Sequence, residues 1–221
     1  MLVLEELGLN GLKIYQDDEL YRFTSDAVIL SKFATVKAND VVADFCSGSG
    51  IVGLHLYALN PKAVKKVTLI EMQKPLYELS LKSIEINGLK DVFDAVNVKV
   101  QELGEEYNEK FSLIVCNPPY MEKDGGAQGE NPHKALCRRE IALSLKELIS
   151  KASKCLKYGG RLAVCHRADR LADLFCEMRA NNIEPKRLQP VCAGKKKPYL
   201  VTVEGVKGGK KGLDFMPPLE N

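Results

Sequence analysis

The feature that most constrains this chain is one junction near its first quarter. Val41-Val42-Ala43-Asp44 is an apolar run of strand length, and a glycine-rich turn follows it at Gly48-Ser49-Gly50. The spacing predicts a helix over residues 50–59, and Val67-Thr68-Leu69-Ile70-Glu71 then reads as a second buried strand. A strand that breaks into glycines, turns into a helix and returns as a strand is a βαβ unit, and both its strands are too apolar for a one-sided sheet. The alternation continues. Residues 75–86 read as a helix with Leu76, Leu79 and Ile84 on one face, stopped by Asn87-Gly88. Val96, Val98 and Val100 alternate as a third strand, and residues 111–116 form a fourth that ends at Asn117-Pro118-Pro119. Ser144 and Glu147 make a capping box ahead of Leu145, Leu148, Ile149, Ala152 and Leu156. Tyr158-Gly159-Gly160 closes that helix, and residues 161–165 read as a fifth strand. Residues 169–180 are helical again, and residues 186–192 and 199–204 fit two last strands joined by Gly194-Lys195-Lys196-Lys197-Pro198.

The expected architecture is therefore α/β: a mostly parallel seven-stranded sheet with helices on both faces and an antiparallel element at one edge. A chain of 221 residues with 45% hydrophobic content suits a single domain over 1–221. Residues 1–38 read as a hairpin and a helix, with the hairpin formed by 12–16 and 20–23 across Asp17-Asp18; residues 39–221 form the core and a basic C-terminal segment. The stretch 121–134, with Gly125-Gly126 and Gly129, is expected to be a mobile loop.

Charge is unevenly distributed. Residues 1–110 hold 12 Lys+Arg against 17 Asp+Glu, whereas residues 111–221 hold 20 against 12. Such asymmetry suits a polyanion-binding face in the second half. The seven cysteines include no C-x-x-C pair and several lie in apolar runs, so they read as small buried hydrophobes in a reducing compartment. Three scattered histidines argue against a metal site. No basic leader precedes an apolar core and no apolar run approaches about 18 residues, which points to a cytoplasmic protein without a membrane partner.

Gly48-Ser49-Gly50-Ile51-Val52-Gly53 satisfies G-x-G-x-x-G, and Glu71 stands about 20 residues on. A nicotinamide-dependent oxidoreductase is thus one reading. Asp44 opposes it, since a carboxylate beside the turn would repel a pyrophosphate and suits a ligand with a cationic end. The second constellation is Asn117-Pro118-Pro119-Tyr120, at the carboxyl end of a buried strand. Two prolines stiffen the backbone and remove two N–H donors. What remains is acceptor-rich: the Asn117 side-chain oxygen and the Pro118 carbonyl, beside the flat face of Tyr120. Two acceptors gripping the hydrogens of a planar –NH2 group favour a pyramidal nitrogen with its lone pair exposed, as methylation of an adenine amino group requires. Stacking on Tyr120 would add about 1–3 kcal/mol for an unpaired base.

Asp44-Phe45-Cys46-Ser47-Gly48-Ser49-Gly50 resembles motif I of the S-adenosylmethionine-dependent methyltransferases. With Asn117-Pro118-Pro119-Tyr120, the segment from Tyr21-Arg22-Phe23-Thr24 to Leu30, Arg139-Glu140, the stretch from Leu156 to Arg161, and the tail with Gly208-Gly209 and Pro217-Pro218-Leu219, the chain resembles the bacterial tRNA1(Val) adenine N6-methyltransferases over about residues 8–218. The resemblance implies a Rossmann-like class I methyltransferase fold, S-adenosylmethionine as cofactor and tRNA as partner, with adenine 37 of tRNA1(Val) as target. It implies that Gly48 and Gly50 approach the cofactor, that Glu71 accepts from its ribose hydroxyls, and that Thr24 contacts its methionine end, although Thr24 reads equally as a helix N-cap. Glu102 is the nearest match to the acidic residue beside the cofactor adenine. Arg139 stands where the family often has His. Lys195, Lys196 and Lys197 are candidate tRNA contacts, with a merely solvated turn as the bland alternative. Protein glutamine N5-methylation, DNA adenine N6-methylation, the oxidoreductase and a non-enzymatic RNA-binding module are the rival functions.

Overall fold

The computed structural model describes residues 1–20, 22–118 and 143–221. Pro119, Tyr120, the 121–134 stretch, Arg139 and Glu140 therefore lie outside the described residues, as does Tyr21. The chain opens with a hairpin, β1 (Leu2–Glu6) against β2 (Lys13–Asp17), followed by α1 (Ser25–Phe33). The alternating part runs β3 (Asp40–Phe45), α2 (Ile51–Leu59), β4 (Val64–Ile70), α3 (Lys74–Ile86), β5 (Phe93–Val96) and β6 (Phe111–Cys116). After the undescribed stretch come α4 (Leu145–Cys155), β7 (Leu156–Arg167), α5 (Leu171–Ala180), β8 (Ile183–Cys192) and β9 (Pro198–Lys207). Two short strands, β10 (Asp214–Phe215) and β11 (Leu219–Glu220), complete it.

The main sheet has the order β10-β8-β9-β7-β6-β3-β4-β5, with β11 also on β8. Strands β3 to β7 pair in parallel. Strand β9 is antiparallel to both β7 and β8, which supplies the expected antiparallel element toward this edge of the sheet. The seven expected strands are all present, and the tail adds β10 and β11 in parallel on the outer side of β8. Side chains alternate across the sheet. Val42, Leu113, Val115, Ala163 and Cys165 face α1 and α2, whereas Phe45, Ile114, Cys116, Leu162 and Val164 face α4 and α5. Both faces are thus covered by helices, which is why the strands read as unbroken apolar runs.

Three expectations are corrected. The hairpin does not turn at Asp17-Asp18. Its partner strand is β1, and the turn is carried by Gly8, Asn10 and Gly11, all at positive φ. The third core strand is Phe93–Val96; Val100 is buried from a short 3₁₀ turn, Val100–Glu102. Tyr158-Gly159-Gly160 does not close α4, which ends at Cys155 with Leu156 as its C-cap. Those residues form an irregularity inside β7, where Gly159 adopts φ 76°. The capping box at Ser144 and Glu147 is present in both directions.

Candidate active site

The glycine turn, Glu71 and Asn117 all leave the carboxyl ends of neighbouring parallel strands. In register, Phe45 at the end of β3 lies between Ile70 of β4 and Cys116 of β6. Open α/β sheets bind ligands at this edge.

Asp44 is fully buried. Its Oδ2 accepts the backbone N–H of Gly53 at 2.8 Å, while Oδ1 has no hydrogen-bond partner. Gly53 lies in the first turn of α2, whose N-cap, Gly50, offers no side chain. The strand carboxyl therefore does the capping work that Gly50 cannot. Burial pushes the Asp44 carboxyl up to about 8, the Gly53 N–H opposes the rise, and the nearby Glu71 adds to it. Glu71, also buried, accepts Gly48 N–H through Oε2 and Gln73 N–H through Oε1, both at 2.8 Å. Burial raises its pKa too, against the pull of the Gln73, Gly48 and Met72 N–H groups. With about four acceptor sites, the carboxylate keeps capacity beyond these three N–H groups.

The three glycines do two kinds of work. Gly50 adopts φ 91°, and a Cβ there would lie 2.8 Å from Leu69 Cδ1. A Cβ on Gly53 would lie 2.7 Å from Leu69 Cδ2. Both let α2 sit close on β4. Gly48 also has positive φ, yet a Cβ there would meet nothing within 4 Å, so the turn presents bare backbone to open space. Two further features of the turn were not singled out from sequence. Cys46 adopts φ 58°, a strained left-handed conformation for a non-glycine residue. Ser47 Oγ is buried without a partner. Their signal was their position inside the Asp44 to Gly50 segment.

Asn117 is half-buried at the end of β6 and Pro118 is buried. Asn117 Oδ1 accepts a hydrogen bond from the Cys165 thiol of β7 at 2.8 Å. Burial holds the Cys165 thiol well above its usual range, and the Asp26 carboxyl of α1 adds to this. Thr24 is exposed at the N-cap position of α1 and its side chain makes no capping bond. The reading of Thr24 as a side-chain cap is thus corrected, although the helix does begin at the next residue. Glu102 is exposed and pairs with Lys99 at 2.8 Å. Asn97, unremarked from sequence, donates to the carbonyls of Glu71 and Met72 at 2.8 and 3.0 Å and fixes the end of β4.

Strand β8 runs parallel to β7, since both oppose β9, so the turn between β8 and β9 lies on the same carboxyl edge. Lys195, Lys196 and Lys197 are exposed there. Other cations of the basic segment are engaged in the fold: Arg187 reaches Glu204 and stacks over Phe33, and Lys207 donates to the Leu156 carbonyl. Among the described residues no group of acidic, His and Cys side chains could hold a metal, and no helix is long and apolar enough to cross a membrane.

Residues 24–178 match the family model of the methyltransferase small domain. This chain belongs to that family. A protein of Flavobacteriaceae bacterium (strain 3519-10) named tRNA1(Val) (adenine(37)-N6)-methyltransferase is 28% identical over 151 residues, 68% of this chain and 62% of its own. A protein of the same name from Shewanella putrefaciens is 31% identical over 62% of this chain and 56% of its own. The matched stretches thus span about 56–62% of these relatives' lengths. Among solved structures, a predicted O-methyltransferase from Agrobacterium tumefaciens superposes with TM-score 0.69 at 19% identity, covering 88% of this chain and 86% of its own. The M. jannaschii tRNA m1G37 methyltransferase superposes with TM-score 0.66 at 20% identity, over 95% and 55%. The fold is the Rossmann-like class I methyltransferase fold.

Proposed function

We propose that this chain is an S-adenosylmethionine-dependent methyltransferase acting on the N6 amino group of an adenine in tRNA, adenine 37 of tRNA1(Val). We read residues 1–221 as one catalytic domain working in the cytoplasm. The observation that carries the proposal is the juxtaposition at one sheet edge of the Asp44–Glu71 turn and the Asn117-Pro118 strand end. Names borne by relatives at 28–31% identity supply the target.

The turn suits the cofactor on its own chemistry. Asp44 Oδ1 and Ser47 Oγ are buried acceptors without partners, which a ligand with a cationic amino-acid end would satisfy. Gly48 leaves its backbone open to close approach, and Glu71 keeps acceptor capacity for ribose hydroxyls. When bound, S-adenosylmethionine supplies an electrophilic methyl group. A nicotinamide dinucleotide fits less well, because one of the first-turn amides of α2 is already taken by the Asp44 carboxyl.

The rest is done by the chain. Asn117 Oδ1 and the Pro118 carbonyl accept the two amino hydrogens of the adenine, holding the nitrogen lone pair toward the methyl group. On transfer the amino nitrogen would bond the methyl carbon as the sulfonium C–S bond breaks, leaving a neutral thioether, and the nitrogen's surplus proton would pass to water. Tyr120 supplies the stacking surface. Thr24 and Glu102 remain the candidates for the methionine and adenine ends of the cofactor, and Lys195, Lys196 and Lys197 for the tRNA backbone.

The test is mass spectrometry of tRNA nucleosides from a strain lacking the gene, paired with methyl transfer by the purified chain to tRNA1(Val). The expected result is loss of N6-methyladenosine at position 37 and its restoration in vitro. Asn117→Ala should bind S-adenosylhomocysteine normally and lose roughly 10²-fold in turnover, the scale of removing one preorganised polar group. An unchanged nucleoside profile would reject the target, and normal turnover by the variant would reject the mechanism.

A further inference from the structure

Parallel pairing of β6 and β7 sets Cys116 beside Val164, so the following residues, Asn117 and Cys165, also lie side by side. Alternation puts both on the face covered by α1 and α2, where Cys165 is 0% exposed. The Cys165 thiol donates to Asn117 Oδ1 at 2.8 Å, the one side-chain hydrogen bond Asn117 makes among the described residues.

We infer that Cys165 is a positioning residue for the proposed methyl transfer: its thiol anchors the carboxamide oxygen of Asn117 so that an acceptor, and not the amide NH2, meets the reacting amino group. The inference rests on the methyltransferase reading of Asn117. A carboxamide has two nearly isosteric ends of opposite hydrogen-bonding character. Turned the other way, it would offer its N–H groups to sulfur, a weak acceptor, and would face a donating substrate with another donor. An oxygen has two lone pairs, so the bond from Cys165 leaves one for the substrate. Burial and the neighbouring Asp26 keep the thiol protonated, and thus a donor, across neutral pH. Packing against the apolar face fixes the sulfur in place.

Cys165→Ala and Cys165→Ser separate this role from simple packing. Turnover and KM on tRNA1(Val), affinity for S-adenosylhomocysteine and melting temperature are measured for both, with wild type and Asn117→Ala as references. Cys165→Ala should lower kcat roughly 3- to 10-fold, the worth of one hydrogen bond, with KM, cofactor affinity and melting temperature near wild type. Cys165→Ser, which restores a donor, should recover most of kcat. A packing role gives the opposite order, since alanine suits an apolar wall and serine buries a hydroxyl. Equal turnover of wild type and Cys165→Ala, higher turnover of the alanine than of the serine variant, or a kcat loss that merely tracks a fall in melting temperature would each overturn the inference. In those cases an active wild type and an impaired Asn117→Ala leave the methyltransferase reading standing. A wild type that transfers no methyl group would overturn both.

Discussion

Asp44 shows how one side chain serves both fold and site. Its Oδ2 caps α2 through Gly53, which leaves Oδ1 buried and unpartnered. A folded-state pKa of about 8 against an ordinary 3.8 means the native state holds a proton that the unfolded chain releases. The sign follows from linkage. Asp44 contributes most stability below pH 3.8 and loses it as pH rises through about 8. Without ligand, unfolding free energy should therefore fall between pH 5 and 8, with a contribution from Asp44 of up to about 1.4 kcal/mol per pH unit. Asp44→Asn keeps an acceptor for Gly53 and cannot ionise, so its stability should fall less steeply. Glu71, raised in the same direction, leaves the variant some slope. Urea unfolding of both proteins at several pH values gives the difference directly, and histidine contributions cancel in it. Parallel stability curves would show that Asp44 is not the titrating group.

At the scale of elements, what the sequence revealed followed how local the signal was. Residues 111–116 were legible to the residue because an apolar run meets Asn-Pro-Pro, and α4 because Ser144 and Glu147 mark its start. β1 was missed because it is a two-stranded edge element, exposed or half-buried throughout, with little apolar contrast. Its turn signal, Gly8-Leu9-Asn10-Gly11, was nevertheless present in the sequence. β5 was displaced because Val98 and Val100 are apolar for the core beneath them, not for a ladder. The partnership of Asn117 with Cys165 spans 48 residues and exists only through strand register, which no local pattern records. The lysines of the turn between β8 and β9 are candidate tRNA contacts by sequence, and the topology puts that turn on the site edge. If it docks tRNA as proposed, replacing Lys195, Lys196 and Lys197 with Ala should weaken binding and flatten its salt dependence by up to about three phosphate contacts, each worth a slope near 0.7–0.9. Affinity for S-adenosylhomocysteine should not change. Titration of tRNA binding against salt decides the matter, and an unchanged slope would reduce the turn to a solvated connection.

Across the whole molecule the two ends of the sheet divide the labour. The carboxyl edge carries strained and unpartnered groups: Cys46 at positive φ, Asp44 Oδ1 and Ser47 Oγ. The amino edge carries a buried polar tie, within which Arg161 Nε and Nη1 have no partner of their own. Arg161 of β7 donates through Nη2 to both oxygens of Asp40, at 2.6 and 2.7 Å, and Ser112 Oγ of β6 donates to the same carboxylate at 2.7 Å. The Val41 N–H in turn donates to Ser112 Oγ at 2.9 Å, so β3, β6 and β7 are locked at their starts. Arg161 and Asp40 are almost fully buried, where removing one charge strands the other. Arg161→Met should therefore cost about 3 kcal/mol, toward the lower end for a broken buried pair because Ser112 and the Lys37 N–H still serve Asp40. The strand ends that bear the proposed chemistry lie at the opposite edge. Cofactor affinity and turnover per folded molecule should then stay at wild-type values while the melting temperature falls. Denaturant unfolding, calorimetry with S-adenosylhomocysteine and kinetics well below the melting temperature test the separation. A loss of cofactor affinity that accompanies the loss of stability would mean that strand register set at the amino edge is transmitted along the sheet to the site.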